Sequence, residues 1–245
     1  LLNVYALIGL CGLSTLLSLL FAVPLARALA RRPAFPGRRW LINLFAVPLG
    51  LPPLVAALGL IEVWGRNGFA NNGLSLLGVD TPFSIYGLSG ILIAHVFYNL
   101  PLSVRLILPA LERLPQEYWK TAANLGMGGL PLFRLVEWPA MRRSAAGAAG
   151  LVFMLCATSF TLVLVLGGGP AATTLEVAIY QALRFDFDPG RAVLLSLIQV
   201  SLTLVVMLAL KLISAPTEAG DTKGGASNRP DVRGGAHAVA DTVLI

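Results

Sequence analysis

Residues 121–140 read TAANLGMGGLPLFRLVEWPA, a stretch that sets Gly126 thirteen residues before Pro139 inside a mostly apolar chain. Glycine readily stops a helix in the left-handed conformation, and proline bars a helix from continuing through it. The stretch therefore reads as a structured connection between two longer elements. Working outward, apolar runs flank it at 84–108 and 145–166, and three more lie at 4–26, 40–63 and 191–213. Each is long enough to cross a bilayer, which takes about 20 residues of helix. The 245 residues are 56% hydrophobic and 12% charged, with a mean hydropathy of +0.78, the composition of a membrane chain. Backbone polar groups in lipid must be paired within their own segment, so all five runs are expected to be helices. The fold class is all-α, a polytopic bundle of five transmembrane helices over residues 1–213.

The formal charge of +6 and pI of 9.8 sort by connection. Fifteen of the 18 lysines and arginines fall in the first connection, around the third and in the tail, on one side of the bundle. The positive-inside rule makes that side the cytoplasm, so the basicity marks topology and no nucleic-acid partner is expected. The connection 109–144 and the tail are then cytoplasmic, and the first residue falls outside. The chain opens with Leu1 and no cleavable leader, so at least one upstream helix is expected. Residues 214–245 are rich in Gly, Ala, Pro and charge and read as a flexible linker to a further segment. Cys11 and Cys156 fall within spans and serve as small apolar side chains.

The spans carry irregularities. The second holds Pro48, Pro52 and Pro53, read as a kink that neighbouring helices accommodate, or else as a hinge. The third holds His95 and Asn99 four residues apart, on one face. They either line a translocation path, or Asn99 pairs backbone freed by Pro101 while His95 bonds a neighbouring helix. Thr158 and Gln199, in the fourth and fifth spans, are packing residues by default and path residues by the alternative. Outside, GGGP at 167–170 ends the fourth span. Thr173 and Glu176 then have capping-box spacing before a short amphipathic helix with Leu175, Ile179, Ala182 and Leu183 on one face.

The 109–144 connection is long for a membrane bundle, which points to function. Gln116–Leu125 is expected to be a short helix, with Pro115 at its start, Gly126 as its left-handed stop and Pro139 blocking continuation before the fourth span. Ala122 and Ala123 give a smooth face that, flanked by Trp119 and Leu125, would fit a cleft.

This loop resembles the cytoplasmic EAA loop of binding-protein-dependent ABC transporter permeases: EAA, three residues, G, nine residues, I, one residue, LP. With Gly126 as the motif glycine, Pro139 takes the motif proline, Val136 the isoleucine and Trp138 the leucine. Thr121 and Ala122 take the alanines. Lys120 stands where the family has glutamate, which commonly pairs with a basic residue of the ATPase, so Glu117, one turn earlier, is the alternative acid. AHVFYNLPLSVR, LVEWPAMRR, FMLCATSFTLVLVLGGGP and TTLEVAIYQALRFDFD are similar to the first half of the thiamine and thiamine pyrophosphate permeases.

The resemblance implies an ABC importer type I permease (MetI-like) fold in a bacterial inner membrane, for thiamine or its phosphate esters. It implies a homodimer of ATPase subunits in the cytoplasm, a periplasmic solute-binding protein and a second permease half beyond the linker. The coupling element would be 116–128, with Glu117, Lys120, Thr121, Ala122, Ala123, Leu125, Gly126 and Pro139 as its residues. Thiamine is an aromatic cation that Phe97, Tyr98 and Phe160 could attract through their faces. The chain is not expected to be an enzyme: it has no GxxxxGK[ST] loop, so ATP is used by a partner and no cofactor is bound here. No metal site is expected, the histidines being only His95 and His237. A ferric-iron importer permease is the nearest alternative. A secondary transporter is disfavoured because Glu62 lies near the outer end of the second span and the other acids fall in connections or the tail.

Overall fold

The computed structural model describes residues 2–66, 68–77, 84–167 and 174–213, with side chains from 7 to 209 within those ranges. Among these residues every regular element is helical. In chain order they are α1 (Leu2–Arg31), α2 (Arg38–Leu44), α3 (Val47–Gly50), α4 (Pro53–Trp64), α5 (Phe69–Leu76), α6 (Leu88–Glu112), α7 (Gln116–Asn124) and α8 (Gly129–Leu132). A π-helical turn (Phe133–Glu137) leads into α9 (Trp138–Ala157), followed by α10 (Phe160–Leu166), α11 (Leu175–Arg184) and α12 (Pro189–Ile213). Of these, α1, α6 and α12 are each long and apolar enough to cross a membrane, and two bent pairs bring the total to as many as five if each pair is one span. Thr173, Gly168–Pro170 and the 214–245 tail lie outside the described residues.

Both bent pairs correct the expectation of continuous helices. In the second span the chain is broken, not kinked: α3 ends at Gly50, Leu51 and Pro52 are extended with ψ of 130° and 136°, and α4 starts at Pro53. The cause is local. A residue before proline is driven from the helical region, and the Pro52-Pro53 pair imposes this on two consecutive residues. The arms on either side make an angle of 108°. In the fourth span α9 and α10 meet at 56° across Thr158 and Ser159. There the Thr158 hydroxyl donates to the Met154 carbonyl at 2.9 Å and the Ser159 hydroxyl to the Cys156 carbonyl at 2.8 Å. These side-chain bonds compete with the helical ladder.

The start of α9 is a second correction. Pro139 does not block the helix but sits within its first turn, after Trp138, where a missing N–H costs nothing. In α11 the buried face is Leu175, Val177, Ala178 and Ala182. Leu183, expected on that face, is exposed, and Thr174, not Thr173, is the residue preceding the helix.

The bundle centres on α1, α6 and α9, which pack against one another. α1 and α6 run side by side in the same direction. Toward the 109–144 end, Ala22, Ala26 and Leu29 join Val104, Ile107, Leu111 and Met141 in one apolar cluster. Ala22, Ala26 and Ala30 recur every fourth residue, and small residues at that spacing let two helix backbones approach closely in a membrane. At the other end Leu10, Ile91, Ala94, Leu162 and Leu166 form a second cluster with Val177 of α11. α12 joins through Leu195, Ile198 and Leu202 against Cys11, Val152 and Cys156, while most of its remaining surface is exposed and apolar.

Candidate functional site

Two places on this scaffold carry candidate residues: the elbow at 109–144 and the centre of the bundle. In the elbow, α7 begins after Pro115 and ends as expected at Gly126, whose φ is +64°. The Gly126 N–H donates to the Ala123 carbonyl at 3.0 Å and the Met127 N–H to the Ala122 carbonyl at 2.8 Å. That pair of bonds is a Schellman motif, which satisfies carbonyls that the helix end leaves open. Met127 then packs toward a small cluster of Trp119, Ala122 and Leu132.

This packing corrects the expected smooth face. Ala122 and Trp119 are buried in the elbow's own core, at 3% and 2% exposure, so neither belongs to an outward knob. Glu117, Lys120, Thr121, Ala123, Leu125 and Gly126 are exposed, as is Pro139 at the start of α9. Glu117, Tyr118, Thr121, Leu125, Leu135 and Val136 line a groove of about 320 Å³, and the buried Ala122 contributes to its lining together with Met127. Lys120 is not among its lining residues, so the carboxylate on the groove is that of Glu117.

The elbow is tied to the bundle by charges that the sequence reading assigned to topology alone. Glu137, the last residue of the π-helical turn, is fully buried and pairs with Arg27 and, at 3.6 Å, with Arg31, both from the end of α1. Arg27 also donates through Nη2 to the Gly129 carbonyl at 2.9 Å and lies 4.8 Å above the Phe133 ring. Arg38 pairs with Glu112 at the end of α6. Sequence carried one unused signal for this: Glu137 is an acid in an otherwise apolar and basic run, LVEWPAMRR, and a charge there needs a partner.

At the bundle centre, His95 is 1% exposed. Its Nδ1 is 2.9 Å from the Ser14 hydroxyl of α1, and its Nε2 is 2.7 Å from the Ser159 hydroxyl at the α9–α10 break. Asn99 donates to the Cys156 sulfur at 3.3 Å, not to backbone freed by Pro101. The Tyr98 hydroxyl donates to the Leu51 carbonyl at 2.9 Å, one of the groups exposed by the break in the second span. The two broken spans and α6 thus enclose a cavity of about 360 Å³ whose lining includes Pro53, His95, Tyr98, Asn99, Thr158 and Phe160. His95, Asn99 and Thr158 are brought together as the path reading requires. Gln199 is not: it sits on α12, away from this cavity, with its amide enclosed. Phe97 stacks edge-on to Tyr98 at 5.5 Å but does not line the cavity. Irregular backbone at membrane depth is tolerated where it lines a cavity or is buried in protein, and both breaks do so here. Among the described residues no group of three His, Cys, Asp or Glu could hold a metal ion.

The family described as binding-protein-dependent transport system inner membrane component matches residues 15–217. The chain belongs to that family. This inner membrane component is 56% identical over 216 residues to the thiamine transport system permease protein ThiP of Brucella abortus, covering 88% of the chain and 40% of that protein. It is 50% identical over 234 residues to ThiP of Escherichia coli, covering 95% of the chain and 43% of that protein. The chain therefore spans about two-fifths of the length of the curated relatives it matches. Among solved structures, a bacterial ABC transporter involved in import of the acidic polysaccharide alginate superposes with a TM-score of 0.73 at 16% identity, covering 87% of this chain and 78% of that one. At that identity the likeness shows the fold alone, an all-α helical bundle, while the inner-membrane setting follows from the family.

Proposed function

We propose that this inner membrane component is one membrane-spanning half of an ATP-driven importer for thiamine or its phosphate esters. The observation that carries the reading is its 50–56% identity to proteins named as thiamine transport permeases. In this reading the 109–144 elbow and the tail face the cytoplasm, and 116–128 docks on a homodimer of ATPase subunits. The groove beside α7 supports this: it is apolar on one wall and carries Glu117 on its rim, so a partner could insert an apolar residue and pair a cation there. A periplasmic binding protein delivers the solute and a second permease half completes the path. A periplasmic partner is in keeping with a structural neighbour, a bacterial alginate ABC transporter solved in complex with an alginate pentasaccharide-bound periplasmic protein.

The mechanism follows from the scaffold. ATP binding draws the ATPase subunits together, the elbow moves with them, and the bundle passes between two packings around the cavity. Tyr98 and Phe160 line the cavity, where a ring face attracts a passing aromatic cation, while His95 and Asn99 are already engaged with neighbouring helices and leave few free donors. Such a cavity suits passage better than tight retention, and selectivity belongs to the external binding protein. The test is uptake of labelled thiamine by vesicles holding the full-length permease, its ATPase and its binding protein. ATP-dependent uptake that ferric iron does not compete is expected. Uptake driven by a proton gradient without the ATPase would overturn the reading, as would modification of Lys120 by a membrane-impermeant reagent applied to intact cells.

A further inference from the structure

The elbow could transmit motion only if something stiff joins it to the spans. Its covalent links run through Arg113–Pro115 on one side and the π-helical turn on the other. π-Helical turns are rare, interrupt the α-helical ladder locally and are frequent at functional sites. This one ends at Glu137, whose side chain is turned inward, to zero exposure. Two guanidinium groups from the end of α1 meet that carboxylate from across the bundle, 110 residues away in sequence for Arg27. Arg27 holds the elbow at three points at once: the Glu137 carboxylate, the Gly129 carbonyl at the start of α8, and the Phe133 ring face. A planar guanidinium bonding in several directions fixes orientation as well as distance, which a lysine could not do.

We propose that the Arg27–Arg31–Glu137 cluster is the joint that makes α1 and the second half of the elbow one rigid body, so that movement imposed on the elbow is delivered to α1 and through it to the Ser14–His95 contact at the cavity. These are positioning residues and touch neither solute nor ATP. The inference rests on the importer reading given above. It assigns α1 a driven role, although α1 lies outside the elbow and far from it in sequence.

The test uses the full-length permease assembled with its ATPase and binding protein in vesicles. Spin labels on Leu20→Cys and Leu130→Cys, both exposed positions, report the distance from α1 to α8; the native Cys11 and Cys156 are buried. That distance should stay constant within about 2 Å between the nucleotide-free and ATP-bound states. In Glu137→Gln, which keeps the side chain's size and removes its charge, the distance distribution should broaden, and solute moved per ATP hydrolysed should fall at least tenfold while the ATPase still co-purifies. Glu137→Asp should recover part of the ratio. A wild-type distance that changes by 5 Å or more on ATP binding would overturn the joint, as would an unchanged transport-to-hydrolysis ratio in Glu137→Gln. If Glu137→Gln fails to accumulate, the wild-type distance measurement still decides. Absence of ATP-driven uptake by the wild type would instead remove the importer reading on which the joint depends.

Discussion

Gly126 and Ala122 occupy neighbouring turns of one short element yet obey different constraints. A Cβ at position 126 would meet nothing within 4 Å, so the only obstacle to a side chain is the backbone at φ +64°. A left-handed residue costs an ordinary side chain about 1–2 kcal/mol, and asparagine less. Gly126→Ala should therefore loosen the end of α7 by about 1 kcal/mol and Gly126→Asn by less, read as the rate of protease nicking in the 125–129 segment. Ala122 is constrained by packing. Ala122→Glu would place a carboxylate among Trp119, Leu132 and Met127, costing on the order of 3 kcal/mol and disordering the elbow core. Ala123→Glu, one residue on and exposed, should leave the elbow folded and reduce only ATPase co-purification. An equal loss of folded elbow in both variants would contradict the burial difference. Gly126 was legible in the sequence because helix stops are written locally. The direction of Ala122 was not, because it depends on Leu132 arriving from α8.

At the scale of elements, length and hydropathy located the three continuous spans and both bent helix pairs, but not the breaks within those pairs. The Pro52-Pro53 break was half visible: consecutive prolines announce a local disturbance, but the donor that satisfies the freed Leu51 carbonyl, Tyr98, arrives from α6. The Thr158–Ser159 break contains no proline or glycine. It is stabilised by His95, which takes Ser159 on one ring nitrogen and Ser14 on the other and so braces α1, α6 and the fourth span together. His95→Leu leaves the buried Ser14 hydroxyl without its ring partner, at a cost of about 1–3 kcal/mol, and removes the brace from Ser159, which keeps its bond to the Cys156 carbonyl. The thermal midpoint of the purified protein should fall by several degrees. Asn99→Leu forfeits one weak bond to sulfur and should alter uptake more than stability. A midpoint unmoved by His95→Leu would show that the imidazole is not a brace.

For the whole molecule, charge was legible as topology but not as architecture. Counting cations by connection gave an orientation, yet the same arginines proved to have partners: Arg27 and Arg31 at Glu137, Arg38 at Glu112. Nothing in their spacing could reveal this, since partners lie 74 to 110 residues away. At the opposite end, burial of Glu176 in α11 raises its carboxyl above the ordinary value of 4.5. A folded state that holds the proton more tightly than the unfolded one is favoured fully below the unfolded pKa, and this advantage is lost as pH rises through the raised folded value. Glu176→Gln should flatten that part of the stability profile, measured as thermal midpoints between pH 4 and 8. A profile identical to wild type would place Glu176 in a more solvated setting.

The ion cluster at Glu137 also bears on biogenesis. On the proposed orientation, Arg27 and Arg31 leave the ribosome long before their acidic partner, and during that interval they act as retention signals that hold the end of α1 at the cytosolic leaflet. Only when residue 137 is synthesised are they neutralised and enclosed. One pair of side chains thus serves successively as an address label and as a rivet, and a truncation that removes the acid would be expected to insert with correct topology and then fail at assembly.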